Sequence, residues 1–271
     1  MKKTVFITGS SSGIGKATAL YFAAQGWQVI ATMRNPDKET ELSAVENIKL
    51  LPLDVLDPES IRSAVAEGIA TFGKIDVLVN NAGYGAYGPL EVFDRESISR
   101  QFNTNVLGLL DVTQAITPHF RTNKAGVLIN VSSMGGKFTF PFGALYHGTK
   151  FAVEGISESL AFEFATFGAK VKLIEPGATA TDFAGRSFDF KNDESIAEYQ
   201  PLMQTLLQMI QALDGGSVPP SHVAEKIFEA ATDNSDRLRY PATPDAVAFL
   251  EKRATESDEV FITGIKKQLG L

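Results

Sequence analysis

Residues 8 to 15 read Thr8-Gly9-Ser10-Ser11-Ser12-Gly13-Ile14-Gly15, and what flanks them restricts the fold more than any other feature. Before them lies Thr4-Val5-Phe6-Ile7-Thr8, a short β-branched and apolar run that reads as a buried strand. After them, Ile14, Ala17, Tyr21 and Ala24 recur at helical spacing until Gly26. A strand that enters a helix through a glycine-rich turn opens a βαβ unit. The turn lets backbone approach a ligand closely, and the helix N-terminus offers N–H donors and the positive end of its dipole to an anion. Many glycine-rich turns are only turns. Here the strand–glycine–helix context favours a phosphate-bearing cofactor.

The alternation continues. Trp27–Met33, Ile48–Leu53, Ile75–Asn80, Val127–Ser132 and Val171–Glu175 read as further strands. Asp57-Pro58-Glu59 reads as a cap, a first-turn proline and an early acid. It opens a helix whose face is Ile61, Val65, Ile69 and Phe72, closed by Gly73. Long helices are expected over roughly Arg95–Arg121 and Tyr146–Phe167. Near-continuously apolar strands between helices predict a doubly wound parallel sheet with helices on both faces, a Rossmann-type α/β fold. With no repeat, low-complexity tract or linker, residues 1–271 are expected to form a single domain. Residues 183–216 follow a strand's carboxyl end and contain an amphipathic piece from Tyr199 to Leu213. They read equally well as a lid over a ligand or as a satellite helix. Arg237-Leu238-Arg239-Tyr240-Pro241 suggests a last strand, and Glu259–Leu269 a closing helix.

Composition excludes several chemistries. Lys and Arg number 25 against 32 Asp and Glu, a net charge of −7, and no basic stripe offers itself to nucleic acid. The absence of cysteine excludes disulfides and thiolate chemistry. His119, His147 and His222 have no paired spacing, so no metal site is expected. Met1-Lys2-Lys3 is followed by too short an apolar run for export, and no stretch approaches a membrane span. A cytoplasmic protein without membrane insertion is expected.

Further motifs follow in order: Asn80-Asn81-Ala82-Gly83, Asn105-Val106-Leu107-Gly108, Ser133 thirteen residues before Tyr146, Tyr146-His147-Gly148-Thr149-Lys150, and Pro176-Gly177-Ala178-Thr179-Ala180-Thr181. With the T-G-x-x-x-G-x-G opening, this set resembles the short-chain dehydrogenase/reductase family over about residues 3 to 182. It resembles the short branch rather than the extended one, and more loosely the members that act on retinoids and hydroxysteroids.

Tyr146 and Lys150 stand four apart on a helix and share a face. A free tyrosine titrates near ~10, too high for acid–base work at neutral pH. One positive charge about 4 Å away is worth roughly three pKa units at an effective dielectric of about 20. Lys150 is therefore expected to draw Tyr146 toward neutrality. By resemblance, Tyr146 is the acid/base, Lys150 tunes it and holds the cofactor ribose, Ser133 binds the substrate oxygen, and Asn105 distorts its helix and holds a relay water. Asn103 is expected to be solvated, and His147 and His119 structural.

The resemblance implies a nicotinamide cofactor held by Gly9, Ser11, Ser12, Gly13, Ile14 and Gly15. It places Asp54 and Val55 at the adenine, Asn81, Ala82 and Gly83 at the adenosine ribose, and Pro176, Gly177, Thr179 and Thr181 toward the nicotinamide and phosphates. On spacing alone Asp54 is equally a loop cap. Where an NAD site carries an acid after the second strand, this chain has Met33-Arg34. Arginine suits a phosphate, so NADP(H) is expected, unless Arg34 is merely exposed beside Asp37 or Glu39. Phe138, Phe140, Phe142, Phe183, Phe188 and Phe190, with Leu202, Met203, Leu206, Leu207 and Met209, suggest an apolar carbonyl or alcohol substrate. Arg186 is the one base close after the sixth strand until Lys191. The helix from Tyr146 is apolar on more than one face, which predicts a homodimer or homotetramer. The leading expectation is an NADP(H)-dependent oxidoreductase. A non-catalytic NADP(H) sensor or scaffold, or an epimerase or dehydratase on the same site, remains open.

Overall fold

The computed structural model describes residues 2–181, 185, 187–214 and 216–271, the side chains of 210–214 excepted. Phe183, Arg186 and the start of the expected 183–216 lid lie outside the described residues.

The chain alternates β1 (Thr4–Ile7), α1 (Gly13–Ala24), β2 (Gln28–Met33), β3 (Ile48–Pro52), α2 (Pro58–Phe72), β4 (Val77–Asn80), β5 (Gly85–Tyr87), α3 (Arg95–Phe102), α4 (Gly108–Asn123), β6 (Gly126–Val131), α5 (Ala144–Ala165) and β7 (Ala169–Glu175). There follow β8 (Phe188–Phe190), α6 (Gln200–Asp214), α7 (Pro220–Thr232), β9 (Arg239–Pro241), α8 (Pro244–Thr255) and α9 (Asp258–Gln268). Seven strands form one parallel sheet in the order β3-β2-β1-β4-β6-β7-β9, and β5 and β8 pair as a separate two-stranded ribbon. The expected doubly wound sheet is present. The order reverses between β1 and β4, and in open sheets ligands bind outside the strands' carboxyl ends at such a switch point.

Both faces of the sheet are covered, so its strands are apolar without alternation. On one face Val5, Ile7, Val29 and Val79 pack with Phe22 and Ile227; on the other Phe6, Leu78 and Leu128 pack with Ile61, Val112 and Phe120. Asp57 caps α2 through Glu59 N, with Pro58 at its start, and Gly73 ends it in the left-handed region, as the sequence predicts.

The predicted single helix over 95–121 is two. A π-helical turn at Asn103–Leu107 separates α3 from α4. Asn105 is buried there and its side chain leaves the helix, holding Tyr84 through both Oδ1 (3.1 Å from Tyr84 N) and Nδ2 (2.8 Å from Tyr84 O). The region after Gly216 extends the sheet with β9, packs α7 against α1 and directs the start of α8 at the β7 carboxyl end.

Candidate active site

One cavity of about 1030 Å³ runs along the carboxyl edge of β1, β2, β4, β6 and β7. Gly9, Ser11, Ser12, Gly13, Ile14, Arg34, Asp54, Val55, Asn81, Ala82, Gly83, Ser133, Tyr146, Lys150, Pro176, Gly177, Thr179 and Thr181 all line it. Of the catalytic and cofactor-binding residues expected from the sequence, Gly15 and Asn105 do not.

The turn after β1 is held by contacts only glycine allows. Gly9 and Gly13 have φ of +69° and +56°. A Cβ on Gly15 would lie 2.3 Å from Gly9 O and 2.4 Å from Asn81 Nδ2. Gly15 therefore shapes the turn from behind. Asn81 Nδ2 donates to Thr8 O and Gly9 O at 3.0 Å, and Thr8 Oγ1 accepts from Asn81 N and Ala82 N. The turns after β1 and β4 thus brace each other. Ser12 precedes α1 without capping it through its side chain, and the first turn carries no acid. The N–H groups that begin α1 and the dipole behind them suit a phosphate anion.

At the end of β2, Met33 is buried and Arg34 is exposed at the cavity lip, with Lys38 also lining it. Glu39 is not Arg34's ion partner. Its carboxylate accepts from Lys16 Nζ at 3.1 Å and from Glu41 N and Leu42 N. The residues present fit a dinucleotide. Asp54 lines the cavity, and its Oδ1 caps the loop by accepting from Leu56 N at 3.0 Å. Val55 packs on Gly108, where a Cβ would meet Val55 O at 2.7 Å.

Ser133 follows β6. Its Oγ accepts from Gly135 N at 3.0 Å, donates toward Pro176 O at 3.4 Å and is hydrogen-bonded to the Tyr146 hydroxyl. The expectation that Lys150 by itself brings Tyr146 toward neutrality is corrected. The phenol is buried, and burial raises its pKa above the usual 10, opposed by the Ser133 hydrogen bond. Lys150 Nζ donates to Val131 O at 2.9 Å and stands 5.7 Å from the centre of the Tyr146 ring. Burial also lowers the lysine, to about 8.

Asn105 lies one layer back. Its Nδ2 also donates to Thr149 Oγ1 at 3.1 Å, so the amide clamps Tyr84 to α5. Asn103 is exposed, as expected. His147 is structural: Nδ1 donates to Gly135 O at 2.9 Å and Nε2 accepts from Phe140 N at 3.1 Å. His119 Nε2 accepts from Ile75 N at 3.1 Å.

The expected aromatic set divides. Phe140 and Phe188 line the cavity with Leu206 and Met209. Phe138 instead joins Phe261 in a separate core, and Phe142 packs on Tyr199. Phe190 stacks on Phe188, while Leu207 is exposed. The sequence reading missed Tyr87. It stands 5.5 Å from the Tyr146 ring and 5.2 Å from Phe188, and burial pushes its phenol well above 10. The signal was weak, a three-residue strand between Gly85 and Gly88 with no visible period. Also missed was the clamp on the turn after β7: Asp245 Oδ2 accepts from Ala178 N at 2.8 Å, and Thr243 Oγ1 from Gly177 N at 2.9 Å.

Among the described residues no group of acids and histidines is placed to hold a metal ion. None of the described helices is long and apolar enough to cross a membrane.

A family model described as short chain dehydrogenase matches residues 3–192. An uncharacterized oxidoreductase of Schizosaccharomyces pombe is 47% identical over 244 residues, 88% of this chain and 100% of that one. A solved short-chain dehydrogenase from Streptomyces avermitilis superposes with a TM-score of 0.85 at 33% identity, covering 98% of this chain and 96% of that one. The structure of ElxO with NADP bound superposes with a TM-score of 0.75 at 29% identity, over 92% of this chain and 100% of that one.

Proposed function

This chain belongs to the short-chain dehydrogenase family of oxidoreductases, and from that premise we propose that it is an NADP(H)-dependent enzyme acting on a carbonyl or alcohol carbon of an apolar substrate. The observation that carries the reading is the meeting of Ser133 and Tyr146, hydroxyl to hydroxyl, in the cavity that the glycine turn also enters. When bound, the nicotinamide supplies or accepts the hydride. Ser133 holds the substrate oxygen and stabilises the charge that grows on it. In the reducing direction Tyr146 Oη gives its proton to that oxygen, and the tyrosinate is reprotonated from solvent. In the oxidising direction the same oxygen atom takes the proton. Lys150, close to the ring, favours the tyrosinate electrostatically. Burial acts the other way, and the Ser133 hydrogen bond opposes burial.

Arg34 and Lys38 at the lip, with Glu39 committed to Lys16, support NADP(H) over NAD(H). ElxO, a relative of the same fold, has been solved with NADP. Tyr87, Phe140, Phe188, Leu206 and Met209 support an apolar substrate. Phe151 and Phe162 on α5 are 45% and 76% exposed, which supports association of two or four copies through this helix. Light scattering should give a particle of twice or four times 29.2 kDa. A single-chain mass at micromolar concentration removes that part of the reading.

The test is consumption of NADPH and NADH in parallel against ketones and aldehydes of increasing size. Turnover with NADPH should fall at least ~100-fold in Tyr146→Phe, with NADPH affinity within about twofold of the parent. Full activity in Tyr146→Phe ends the proposal. NADPH binding without turnover on any carbonyl favours the sensor reading instead.

A further inference from the structure

Lys150 has an acidic side that the proposed reaction leaves unused. Glu154 lies one turn further along α5, and Glu175 is the last residue of β7. They are 4% and 2% exposed. A single guanidinium serves both: Arg239 Nε, from β9, is 2.9 Å from Glu154 Oε2 and 3.9 Å from Glu175 Oε1. The same guanidinium reaches the exposed Glu158 at 2.6 Å. Two buried carboxylates and one shared cation leave an uncompensated charge when both acids are ionised, and a buried site resists that by keeping a proton.

Glu154 Oε1 is buried without a hydrogen-bond partner, and so is Ser132 Oγ, one residue before Ser133. Both side chains converge on Gly136. A Cβ there would lie 2.8 Å from Ser132 Oγ, 2.9 Å from Glu154 Cγ and 3.0 Å from Lys150 O. The carboxylate therefore has a spare acceptor oxygen, and its stem packs at the Gly136 turn, where the Lys150 carbonyl also lies.

We propose that Glu154 and Glu175, gathered on Arg239, form a buried carboxyl cluster in which Glu175 carries the exchangeable proton, and that the charge of this cluster sets the charge held on Lys150. They touch neither substrate nor reacting atoms and act as positioning residues. With both ionised, the pair favours the ammonium. With the proton in place, part of that support is withdrawn. The groups that bear on it are Lys150 and Glu158 from α5, Arg239 from β9, and Lys137 and Arg237, which act on Glu175 from further away. The directions agree: Glu154 raises Lys150 against the lowering by burial, and Glu175 is pushed up to about 7 by burial and by Glu154.

The proposal rests on the reading that Lys150 supports Tyr146, but its effect on the lysine exists whether or not the chain turns over. The experiment is therefore an NMR titration of the full chain carrying ¹³Cε-lysine, with the Lys150 signal assigned by its loss in Lys150→Arg. The parent should show the Lys150 transition and a smaller inflection near pH 7. Glu154→Gln should lower the Lys150 transition by about one pH unit. Glu175→Gln should abolish the inflection. Glu158→Gln, which also removes an Arg239 partner, should change neither. The basic limb of kcat/KM for carbonyl reduction should move down by the same unit in Glu154→Gln alone. Superimposable Lys150 titrations in parent, Glu154→Gln and Glu175→Gln overturn the pair. An equal shift in Glu158→Gln also overturns it, since the effect then runs through Arg239 placement. A Lys150 shift without turnover on any carbonyl upholds the pair while removing the proposed function.

Discussion

Two ends of the same cavity are built by opposite means. The turn after β1 is contiguous: eight residues in a row, three glycines, and bonds to the neighbouring turn that each join a side-chain atom of Thr8 or Asn81 to backbone. The wall beside Tyr146 is assembled from Tyr87, Phe140, Phe188, Leu206 and Met209, on segments far apart in the chain. In the proposed reading the first end recognises an anion, which backbone N–H groups and a helix dipole can do only at short range and fixed geometry. The second encloses apolar surface, where area and shape matter and many side chains serve. A substitution in the turn should therefore be costly and specific to the cofactor. One in the wall should be mild and specific to the substrate.

The sharpest way to break this contrast is Gly15→Ala. The added Cβ collides with Gly9 O and Asn81 Nδ2, and backbone cannot move aside as a flexible side chain can. NADPH affinity, read by fluorescence titration, should fall ~100-fold or more, and the Tm should fall with it, as overpacking costs about 1–3 kcal/mol. Unchanged affinity and Tm would mean that the turn is more plastic than its contacts imply. Next in size is Arg34→Ala. A charge-assisted bond to a phosphate is worth about 2 kcal/mol, so NADPH affinity should fall ~30-fold with NADH affinity unchanged. An equal loss for both cofactors assigns Arg34 a general role and removes the basis for NADP(H).

Tyr87→Ala tests the other end. It removes a ring packed against Tyr146 and Phe188. KM for a bulky apolar ketone should rise about tenfold, from lost aromatic contact of ~1.5 kcal/mol, with NADPH affinity unchanged. A loss of cofactor affinity would show that the two ends are coupled. A last test concerns stability. Glu175 keeps its proton up to about 7 when folded, against an ordinary value of 4.5. Between those values the folded chain binds the extra proton, so stability falls as pH rises through that window. Thermal melts at pH 5 and pH 7.5 should show this fall in the parent, and a smaller one in Glu175→Gln.

Much of the site is readable without coordinates because its signals are local. A glycine turn needs its flanking strand and helix; Tyr146 and Lys150 share a helix face by their four-residue spacing, and it is the resemblance of the accompanying motifs to a known family that singles them out. The strands declare themselves because both faces of the sheet are covered. Other parts carry no such signal. The ribbon of β5 and β8 is too short for a period, and its partners meet only in the fold. Asn105 announces itself as an odd residue in a helix, yet its bonds to Tyr84 and Thr149 depend on how α3, α4 and α5 pack. Phe138 and Phe140 are two residues apart and pack on each other, yet only Phe140 also reaches the cavity.

The amino-acid order by itself determined the parallel α/β sheet and the glycine turn that opens it, because hydrophobic period and glycine placement act over a few residues, while Ser133, Tyr146 and Lys150 stood out through the family resemblance of ordered motifs. Tertiary structure decided the charge environment around Lys150. Glu154, Glu175 and Arg239 come from α5, β7 and β9, and meet because β9 pairs with β7 at the sheet's edge. Electrostatic strength depends on distance and on exclusion of water, and neither is set until the sheet has closed over these side chains.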